Sequence, residues 1–474
     1  MNVFTNSALA GASGQAAGGG DEIERSLRFN SSDSPYLSKQ YTTSGNRRKA
    51  TISMWLKRGN LASNGGLFLV SDAATSTFSY DFDTDDTIRL YFNNGTADLN
   101  TSAVFRDPSA WYHLTLVIDT ENATSSDRIK IYVNGVNQTL TGTIPSQNSD
   151  TELGLTGSWV HTIGRHMSSG EQLDGYLADV HFIDGQALAP TDFGEYDSNS
   201  VWQPIEFAGT YGTNGFHLDF SDNSSNAALG TDTSGNGNTW TVNNLSVAAG
   251  AGNDALRDSP SQIADQTDTG VGGEVVGNYA TLNPLKSTAD LSNSNLTISP
   301  VNSHSNSYAT LGVNTGKYYW EITRPSYSGN LGSIGIHGST SANKSYGTSW
   351  AAPSSNSDQK VYYVNALESG IIYNTPTGTF SISNSSTPTL PTGWNSDAGT
   401  YMFCLDMDNQ KAWMGRNGVW WGYTGTAVTT TAGNPATGAN ALWLLDSSLT
   451  YFPFLGLYGT GFSYDLNFGQ RPFA

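Results

Sequence analysis

The sequence predicts an all-β protein made of two β-sandwich domains in tandem, preceded by a short extended N-terminal arm. The first observation is the stretch from Ala110 to Val136, in which two arms with apolar residues at alternate positions flank the polar turn Asp119 to Asp127. The second arm ends at Asn134-Gly135, a pair that tolerates the positive φ of a tight turn. The same plan occurs from Thr400 to Trp420, which closes at Asn417-Gly418. Two hairpins of one design, far apart in a chain with almost no helical periodicity, predict two domains of one kind.

The composition supports this fold class and excludes several functions. The 474 residues include 52 Gly, 23 Tyr, 19 Phe and 12 Trp, which is typical of many short strands, many turns and aromatic cores. No apolar run approaches the roughly 18 residues that a membrane helix needs, so no membrane insertion is expected. A formal net charge of -19 opposes attraction to phosphate backbones, so no nucleic-acid partner is expected. Cys404 is the single cysteine, so no disulfide forms within the chain, and its apolar strand predicts a buried side chain.

Taken in order, the chain divides into four predicted segments. Residues 1–23 are the arm: Met1 to Asp21 is rich in Gly and Ala, lacks the pattern of a secretion signal, and is either disordered or ordered against a partner. Residues 24–200 are the first sandwich, a series of short strands that end in turns. Residues 201–275 are predicted to be an irregular connector with short strands, because their second half shows no periodicity. Strand patterns resume in residues 276–474, the second sandwich.

Several motifs resemble known families. Trp55 in TISMWLKRG, followed in order by AWYHLTLVID, RIKIYVNGV, HTIGR and LDGYLADVHFIDGQAL, resembles a laminin G-like (concanavalin A-like) jelly roll, from Glu24 to about Tyr196. In the second half, GKYYWEITRP, LGSIGIH, CLDMDNQKAWMGRNGVW and FPFLGLYGTGFSYDLNFG resemble a SPRY domain, which is also a two-sheet sandwich. The implied fold is two concanavalin A-like or jelly-roll β-sandwich domains in tandem.

The combination of these domains with the opening MNVFTNSALAGASGQ is similar to virion proteins of marine tailed phages. The resemblance implies a bacteriophage virion protein, assembled in the host cytoplasm and exposed on the particle as a tail fibre or a capsid-surface fibre. It also implies that the arm attaches the chain to other virion proteins. A homo-oligomer is expected, with a trimer around a fibre axis as the predicted state.

Paired carboxylates would indicate a glycan-degrading enzyme. The segments DFDTDDT, with its acids from Asp81 to Asp86, and DMD, with Asp406 and Asp408, would place pairs on one strand face as glycosidases require. Their hydrophilic, turn-like contexts offer no apolar pocket to raise the pKa of an acid, so we interpret them as solvated strand ends and expect no enzyme. A Ser-His-Asp triad assembled in space stays open, because composition alone does not exclude it.

Metal ligands are not indicated by spacing. His161 and His166 lie close in sequence, but no Cys or Glu accompanies them at ligand spacing, and their odd separation puts them on opposite faces of a strand. The laminin G-like resemblance leaves Ca²⁺ open, because such domains sometimes hold it in Asp- and Asn-rich loops. Its oxygens would come from Asp119, Asp174, Asp179 or Asp184. No other cofactor is expected.

Aromatic residues in polar segments are the candidate ligand-binding residues. Sugars stack on Trp or Tyr rings while Asp and Asn side chains bond their hydroxyls. The candidates are Trp350, Trp394, Asn395, Asp397 and Trp421. Core packing is the competing explanation for the tryptophans, because sandwiches of this size need aromatic filler.

These observations favour a non-catalytic virion structural protein that mediates adhesion to the host surface, with a glycan as the expected receptor. Two alternatives stay open: an inert capsid decoration protein and a glycan-degrading tail enzyme. A carboxylate pair in a deep groove would favour the enzyme. An arm buried in another subunit, with no pocket on the outer loops, would favour the decoration protein.

Overall fold

The computed structural model describes residues 22–72, 77–165, 172–261, 275–301, 305–325, 332–339, 359–365, 370–375, 378–382, 398–424, 428–429, 431–457 and 459–474. Their contacts divide them into an N-terminal unit, residues up to 261 together with 276–278, and a C-terminal unit, residue 275 and residues from 279 onward. Both units consist of antiparallel strands, and the described ranges contain no α-helix. The predicted all-β fold class is therefore confirmed.

The strands of the N-terminal unit are short and separated by turns, as its sequence predicts. In chain order they are β1 Ser26–Phe29, β2 Tyr36–Lys39, β3 Lys49–Arg58, β4 Gly65–Ser71, β5 Thr77–Phe82, β6 Ile88–Phe92, β7 Ala97–Thr101, β8 Trp111–Asp119, β9 Ile129–Val133, β10 Val136–Asn137, β11 Leu140–Thr143, β12 Val160–Ile163, β13 Gly175–Asp184, β14 Gly194–Tyr196, β15 Trp202–Pro204, β16 Phe216–Leu218, β17 Thr241–Asn243 and β18 Ala255–Leu256.

Two large sheets make up this unit. The first has the strand order β10-β9-β8-β3-β13-β1-β18, with β16 beside β13. The second has the order β11-β7-β6-β5-β4-β12-β2-β17, and β14 pairs with β15 in a separate ribbon. Both sheets combine strands that are distant in sequence, so each contributes long-range pairing to the fold.

The core of the N-terminal unit collects alternate residues from both sheets. On β8 the inward residues from Leu114 to Ile118 are fully buried in one apolar cluster, as the hairpin pattern predicts. Aromatic rings from different strands meet there: Phe68 of β4 stacks on Phe182 of β13 and on Phe216 of β16. Large rings bury about 150–250 Å² each, so these contacts supply much of the burial that holds the two sheets together.

The strands of the C-terminal unit are also short. They are β19 Asp290–Ser292, β20 Thr297–Ser299, β21 Ser305–Tyr308, β22 Lys317–Arg324, β23 Ser333–Ser339, β24 Gln359–Asn365, β25 Gly370–Thr375, β26 Gly378–Ile382, β27 Gly399–Asp406, β28 Lys411–Arg416, β29 Val419–Trp420, β30 Gly422–Tyr423, β31 Val428–Thr429, β32 Trp443–Leu444, β33 Thr450–Leu457 and β34 Tyr464–Asn467.

These strands again form two main sheets. One has the order β19-β20-β34-β22-β27-β28-β29 with β32 beside β28, and the other has the order β21-β33-β23-β24-β25-β26. Trp320 of β22 stacks on Phe403 of β27 at 5.0 Å between ring centroids, and both rings are buried. Cys404 is buried too, as its apolar strand predicts, and burial raises the pKa of its thiol to about 12. Such a thiol is a weak nucleophile near neutral pH.

Both predicted hairpins are present with the expected turns. Strands β8 and β9 pair in register, and the turn from β9 into β10 has φ of 49° at Asn134 and 77° at Gly135. Strands β27 and β28 pair likewise, and the turn from β28 into β29 has φ of 49° at Asn417 and 81° at Gly418. Consecutive positive φ values are what a two-residue hairpin turn requires, and the Asn-Gly pair supplies them at low cost.

The part of the predicted connector, residues 201–275, that the structure describes has the expected short strands, but up to residue 261 it belongs to the N-terminal unit. Strand β16 pairs with β13, β17 with β2 and β18 with β1, so these short strands complete the sheets of the N-terminal unit. Trp240 lies in the core of that unit. Short strands are predicted in this segment, but two- and three-residue strands carry too little pattern to show which sheet they join. The N-terminal unit therefore extends well beyond residue 200.

The predicted arm, residues 1–23, lies outside the described residues except at its end. Ile23 is buried, and its backbone N–H donates to Ser261 Oγ at 2.9 Å, so the chain already belongs to the N-terminal unit there. The helical segments in the described ranges are single 3-10 turns at Ser31–Asp33, Asn93–Gly95, Ser125–Asp127, Pro190–Asp192, Ala227–Gly230 and Pro284–Lys286. None of them has the length and apolar character needed to cross a bilayer.

Candidate functional site

The outward face of the first sheet carries polar side chains that are buried. On β3 the residues that alternate with the core residues include Ser53 and Lys57, and both are almost fully buried. On β13 Asp179 and His181 lie two residues apart and contact each other on this face, where the register with β3 shifts between Ala178 and His181. Buried polar groups need hydrogen-bond partners, and those partners define two histidine centres on this face.

His113 of β8 is a neutral imidazole held in one tautomer. Its Nδ1 accepts a hydrogen bond from Trp202 Nε1 at 2.9 Å, and its Nε2 lies 2.8 Å from Ser53 Oγ. Because an indole N–H only donates, Nδ1 is unprotonated and Nε2 carries the proton that it donates to Ser53. Burial lowers the pKa of His113 to about 3. This Ser–His pair is therefore arranged with the serine as acceptor, which is the wrong polarity for a nucleophile activated by a base.

The second centre is the Asp179–histidine cluster, which consists of Asp179, His181 and His217. Asp179 Oδ2 lies 3.0 Å from His181 Nε2, and its Oδ1 lies 2.6 Å from His217 Nε2. The two imidazole rings stack with centroids 4.1 Å apart and planes at 11°. One carboxylate on β13 therefore serves two histidines, one from its own strand and one from β16.

The outer nitrogens of both rings meet hydroxyl groups. Tyr211 Oη lies 3.0 Å from His181 Nδ1, and Thr233 Oγ1 lies 3.0 Å from His217 Nδ1. Each Nε2 faces the carboxylate and each Nδ1 faces a hydroxyl, so every ring nitrogen of the cluster has a hydrogen-bond partner.

The pKa shifts in the cluster favour an ionised Asp179 and a neutral His181. Burial alone would raise the pKa of Asp179, but its contacts with His181 and His217 outweigh burial and hold that pKa far below its usual range. Burial lowers the pKa of His181, and the nearby carboxylate offsets this only in part. Asp179 is therefore ionised and His181 is neutral, and the carboxylate faces both imidazoles.

Two histidines and one carboxylate are also a donor set for a transition metal, and their ligand atoms lie within 4.8 Å of one another. The ring orientation does not suit one ion. Because the rings are stacked almost in parallel, the lone pairs of the two Nε2 atoms run side by side instead of converging. The arrangement fits a shared hydrogen bond to Asp179, and holding a metal would require at least one ring to turn.

The sequence did not predict this cluster. Its patterns indicated Asp179 only as a Ca²⁺ ligand, and the histidines close in sequence were His161 and His166. His161 lies alone in the second sheet, where its Nε2 accepts from the Gly154 N–H at 3.1 Å, and His166 lies outside the described residues. The available signal was that DVHFID and GFHLDF each place a histidine among apolar residues of a strand. What joins them is the pairing of β13 with β16, which is not local.

The four carboxylates considered for Ca²⁺ do not form one site as they are placed. Asp174 accepts from Ser31 Oγ at 2.9 Å, and Asp184 accepts from the Asn46 N–H at 2.7 Å, at opposite ends of β13. Asp119 faces Lys49 at 3.7 Å. Each of these groups has its own partner, so they do not supply the six to eight converging oxygens that Ca²⁺ requires.

The candidate sugar-binding residues fall into two groups. Trp350, Trp394, Asn395 and Asp397 lie outside the described residues, so their role stays a prediction. Trp421 is described and its side chain is only 1% exposed, next to Tyr401. A buried ring has no face to offer a sugar. The expectation for Trp421 is therefore wrong, and core packing accounts for it.

The Asp-rich turns hold structural carboxylates in the described residues. Asp86 is buried, and Arg58 and Arg106 bind its two oxygens at 2.8 and 2.6 Å. Burial would raise the pKa of Asp86, but these arginines and the Ala62 N–H lower it below its usual value. Asp406 behaves alike, since Asn409 and Lys317 outweigh its burial and lower its pKa. A glycosidase acid needs a raised pKa, so neither group suits that role.

Comparisons with known proteins place the N-terminal unit in a broad class. Residues 29–192 match the family model of the concanavalin A-like lectin/glucanases superfamily. A search of curated protein sequences gives no match to the chain.

Solved structures are similar at low identity. Domains LG4-5 of the mouse laminin alpha1 chain are 10% identical, with 99% of this chain and 96% of that chain covered and a TM-score of 0.30. The SPRY domain of human HERC1 is 15% identical, with 39% and 96% covered and a TM-score of 0.25. A heptameric SAP-like pentraxin from Limulus polyphemus is 18% identical, with 36% and 80% covered and a TM-score of 0.27. With the family match, the strand architecture makes this an all-β protein of concanavalin A-like, laminin G-like fold.

Proposed function

We propose that the chain is a non-catalytic surface protein of a phage particle and that it attaches the particle to a glycan of the host surface. The observation that carries the glycan part is the match of residues 29–192 to the concanavalin A-like lectin/glucanases superfamily. The phage part rests on the similarity of the opening residues and of the domain combination to virion proteins of marine tailed phages. The predicted arm, residues 1–23, would attach the chain to other virion proteins.

The state of Asp86 and Asp406 in the Asp-rich turns favours binding over hydrolysis. The superfamily name covers both lectins and glucanases, so the match by itself does not choose between them. Retaining and inverting glycosidases need one carboxylic acid whose pKa is raised. In the Asp-rich turns the contacts of Asp86 and Asp406 lower the pKa instead.

The proposed sugar site uses the four candidates that stay open, Trp350, Trp394, Asn395 and Asp397. A stacked ring contributes about 0.5–1.5 kcal/mol, so a single site of this kind binds weakly. Several sites per particle would multiply that affinity through avidity. We therefore propose a homo-oligomer, with a trimer as the expected state, and light scattering that gave a monomer at micromolar concentration would remove this part of the proposal.

The test is adsorption of the purified full chain to host cells, with and without surface polysaccharide isolated from the same cells. The proposal expects saturable adsorption that the free polysaccharide competes away. A chain that did not adsorb would support the inert decoration alternative. A chain that shortened the polysaccharide would support the tail enzyme.

A further inference from the structure

Lys57, Asp258 and Asn278 meet on the outward face of the first sheet in a fully enclosed group. Lys57 Nζ lies 2.8 Å from Asp258 Oδ2, 3.2 Å from its Oδ1 and 2.9 Å from Asn278 Oδ1. The side chains of Lys57 and Asp258 are 0% exposed, and Asn278 is buried as well. A buried lysine is rare unless it is paired, and here it faces both a carboxylate and a carboxamide.

The orientation of the carboxamide is fixed. Asn278 Nδ2 donates to the Ser109 carbonyl oxygen at 2.8 Å, which turns Oδ1 toward Lys57. A C=O bond is about 1.23 Å long, so Nζ lies within about 4 Å of the carboxamide carbon Cγ. Reacting atoms held about 3–3.5 Å apart form a near-attack arrangement, and a small movement of either side chain reaches it.

The walls around these groups are aromatic. Trp111 Nε1 donates to Asp258 Oδ1 at 3.2 Å, and the Tyr176 ring lies 5.6 Å from Lys57 Nζ. Both rings are fully buried. An enclosed site of this kind excludes bulk water, which would otherwise hydrolyse the carboxamide or solvate the ammonium.

Each chemical role in an amide transfer is filled. An amine attacks only in its neutral form, and burial lowers the pKa of Lys57, although Asp258 opposes this shift. Asp258 is in direct contact with Nζ and can take its proton. The Asn278 carboxamide is the electrophile, and its Nδ2 is the leaving nitrogen.

We propose that Lys57 and Asn278 form an intramolecular isopeptide bond with Asp258 as the acid and base. Asp258 takes a proton from the Lys57 ammonium, and the Nζ lone pair then forms a bond to Cγ of Asn278. The carbonyl electrons move to Oδ1, which Asp258 protonates. Nζ then gives up a proton to Nδ2. Collapse of this intermediate breaks the Cγ–Nδ2 bond and re-forms the carbonyl while Oδ1 returns its proton to Asp258. The products are a secondary amide and one molecule of ammonia, and no oxidant, reductant or co-reactant is consumed.

The bond would cross-link the folded chain covalently, as disulfides do in other surface proteins. The chain has one cysteine, so it cannot cross-link itself through sulfur. The isopeptide bond joins the middle of the first sheet to a residue 221 positions further along the chain. Asn278 is the last residue assigned to the N-terminal unit. A pulling force applied to the chain beyond it would therefore be transmitted to β3 through the isopeptide bond.

The experiment is intact mass spectrometry of the purified full chain, followed by peptide mapping. The proposal expects a mass lower than that of the sequence by one ammonia. It also expects one branched peptide in which Lys57 carries the peptide of Asn278, with no tryptic cleavage after Lys57. A folded native chain of full mass, with both residues in separate peptides, would overturn the proposal.

Variants of Lys57, Asp258 and Asn278 test the role of each side chain in the reaction. Asn278→Ala and Lys57→Arg should both restore the full mass of their own sequences. Asp258→Asn keeps the size of the side chain and should slow or abolish the mass loss. Asn278→Asp is the matched positive control: its condensation with Lys57 releases water, so its linked product has the same mass as the linked native chain. Loss of ammonia that persisted in Asn278→Ala would place the reaction elsewhere and contradict the assignment.

Discussion

His181 and His217 stack face to face, with ring centroids 4.1 Å apart, and both present Nε2 to the carboxylate of Asp179. Stacking two imidazoles in this way is unfavourable if both are charged, so at most one ring is charged beside the ionised carboxylate. Asp179 has a φ of 50°, a left-handed conformation that Asp and Asn tolerate better than most residues. The cluster therefore depends on a residue type that meets a backbone requirement and an electrostatic one together.

Asp179→Asn separates these two requirements, because Asn accepts the same φ but offers only one acceptor atom. Its Nδ2 would face an Nε2–H donor, so one histidine must change tautomer or lose its partner. We expect the free energy of unfolding to fall by about 1–3 kcal/mol in urea denaturation. The control is Asp222→Asn, whose site is fully exposed and which should leave stability almost unchanged. Equal effects of the two variants would argue against a structural role for the cluster.

Acid should destabilise the N-terminal unit, because several of its histidines are buried in the neutral form. Burial lowers the pKa of His113 and of His161 to about 3, against about 6.5 in an unfolded chain. Between about pH 3 and pH 6.5 the unfolded state binds more protons than the folded state. The free energy of unfolding therefore keeps its full value above about pH 6.5 and falls as the pH drops below it. At pH 4 the loss is roughly 3 kcal/mol per histidine.

The measurement is thermal unfolding of the full chain from pH 7.5 to pH 4. His161→Phe is a suitable comparison, because the ring packs edge-on against Tyr41 and a phenyl ring keeps that shape. This variant loses the acceptor for the Gly154 N–H but should show a shallower decline with acid. A melting temperature independent of pH across this range would contradict the neutral assignment.

Gly135 and Gly418 close equivalent hairpins but differ in their surroundings. Ala at a φ of 77° or 81° costs about 1–2 kcal/mol in either turn. A Cβ at position 135 would also lie 2.4 Å from the Trp202 ring, which His113 holds in place, whereas nothing lies within 4 Å of a Cβ at position 418. Calorimetry of Gly135→Ala should therefore show a loss of about 3 kcal/mol or more in its own unit. Gly418→Ala should show the backbone cost alone, and a larger loss at position 418 would be inconsistent with these contacts.

Deleting Met1 to Asp21 tests the attachment role proposed for the arm. Because the first strand begins at Ser26 and Ile23 is the first residue seen packed in the unit, the truncated chain should keep its fold. Circular dichroism should be unchanged while incorporation into particles is lost. Normal occupancy of the truncated chain in purified particles would show that attachment uses another part of the protein.

The sequence predicts local structure well and non-local structure poorly. Strands β8 and β9 were predictable because their alternation, the polar turn between them and the Asn-Gly turn after β9 are encoded within a short stretch. Trp421 was not, because the segment WWGY alone does not tell which neighbours cover the ring. Lys57 shows the same limit. Its ammonium is enclosed by Asp258 and Asn278, which lie far along the chain and are not indicated by the local pattern of β3.

The most direct measurement of the central claim, recognition of a glycan without its cleavage, is binding of the chain to purified host polysaccharide together with the length of that polysaccharide afterwards. The account predicts binding that Trp394→Ala abolishes at unchanged melting temperature, with no new reducing ends after prolonged incubation. Trp421→Ala is the control, and should lower the free energy of unfolding by about 3–5 kcal/mol because its ring is buried. Full binding by a folded Trp394→Ala chain would contradict the proposed site, and a steady release of reducing ends would contradict the claim itself.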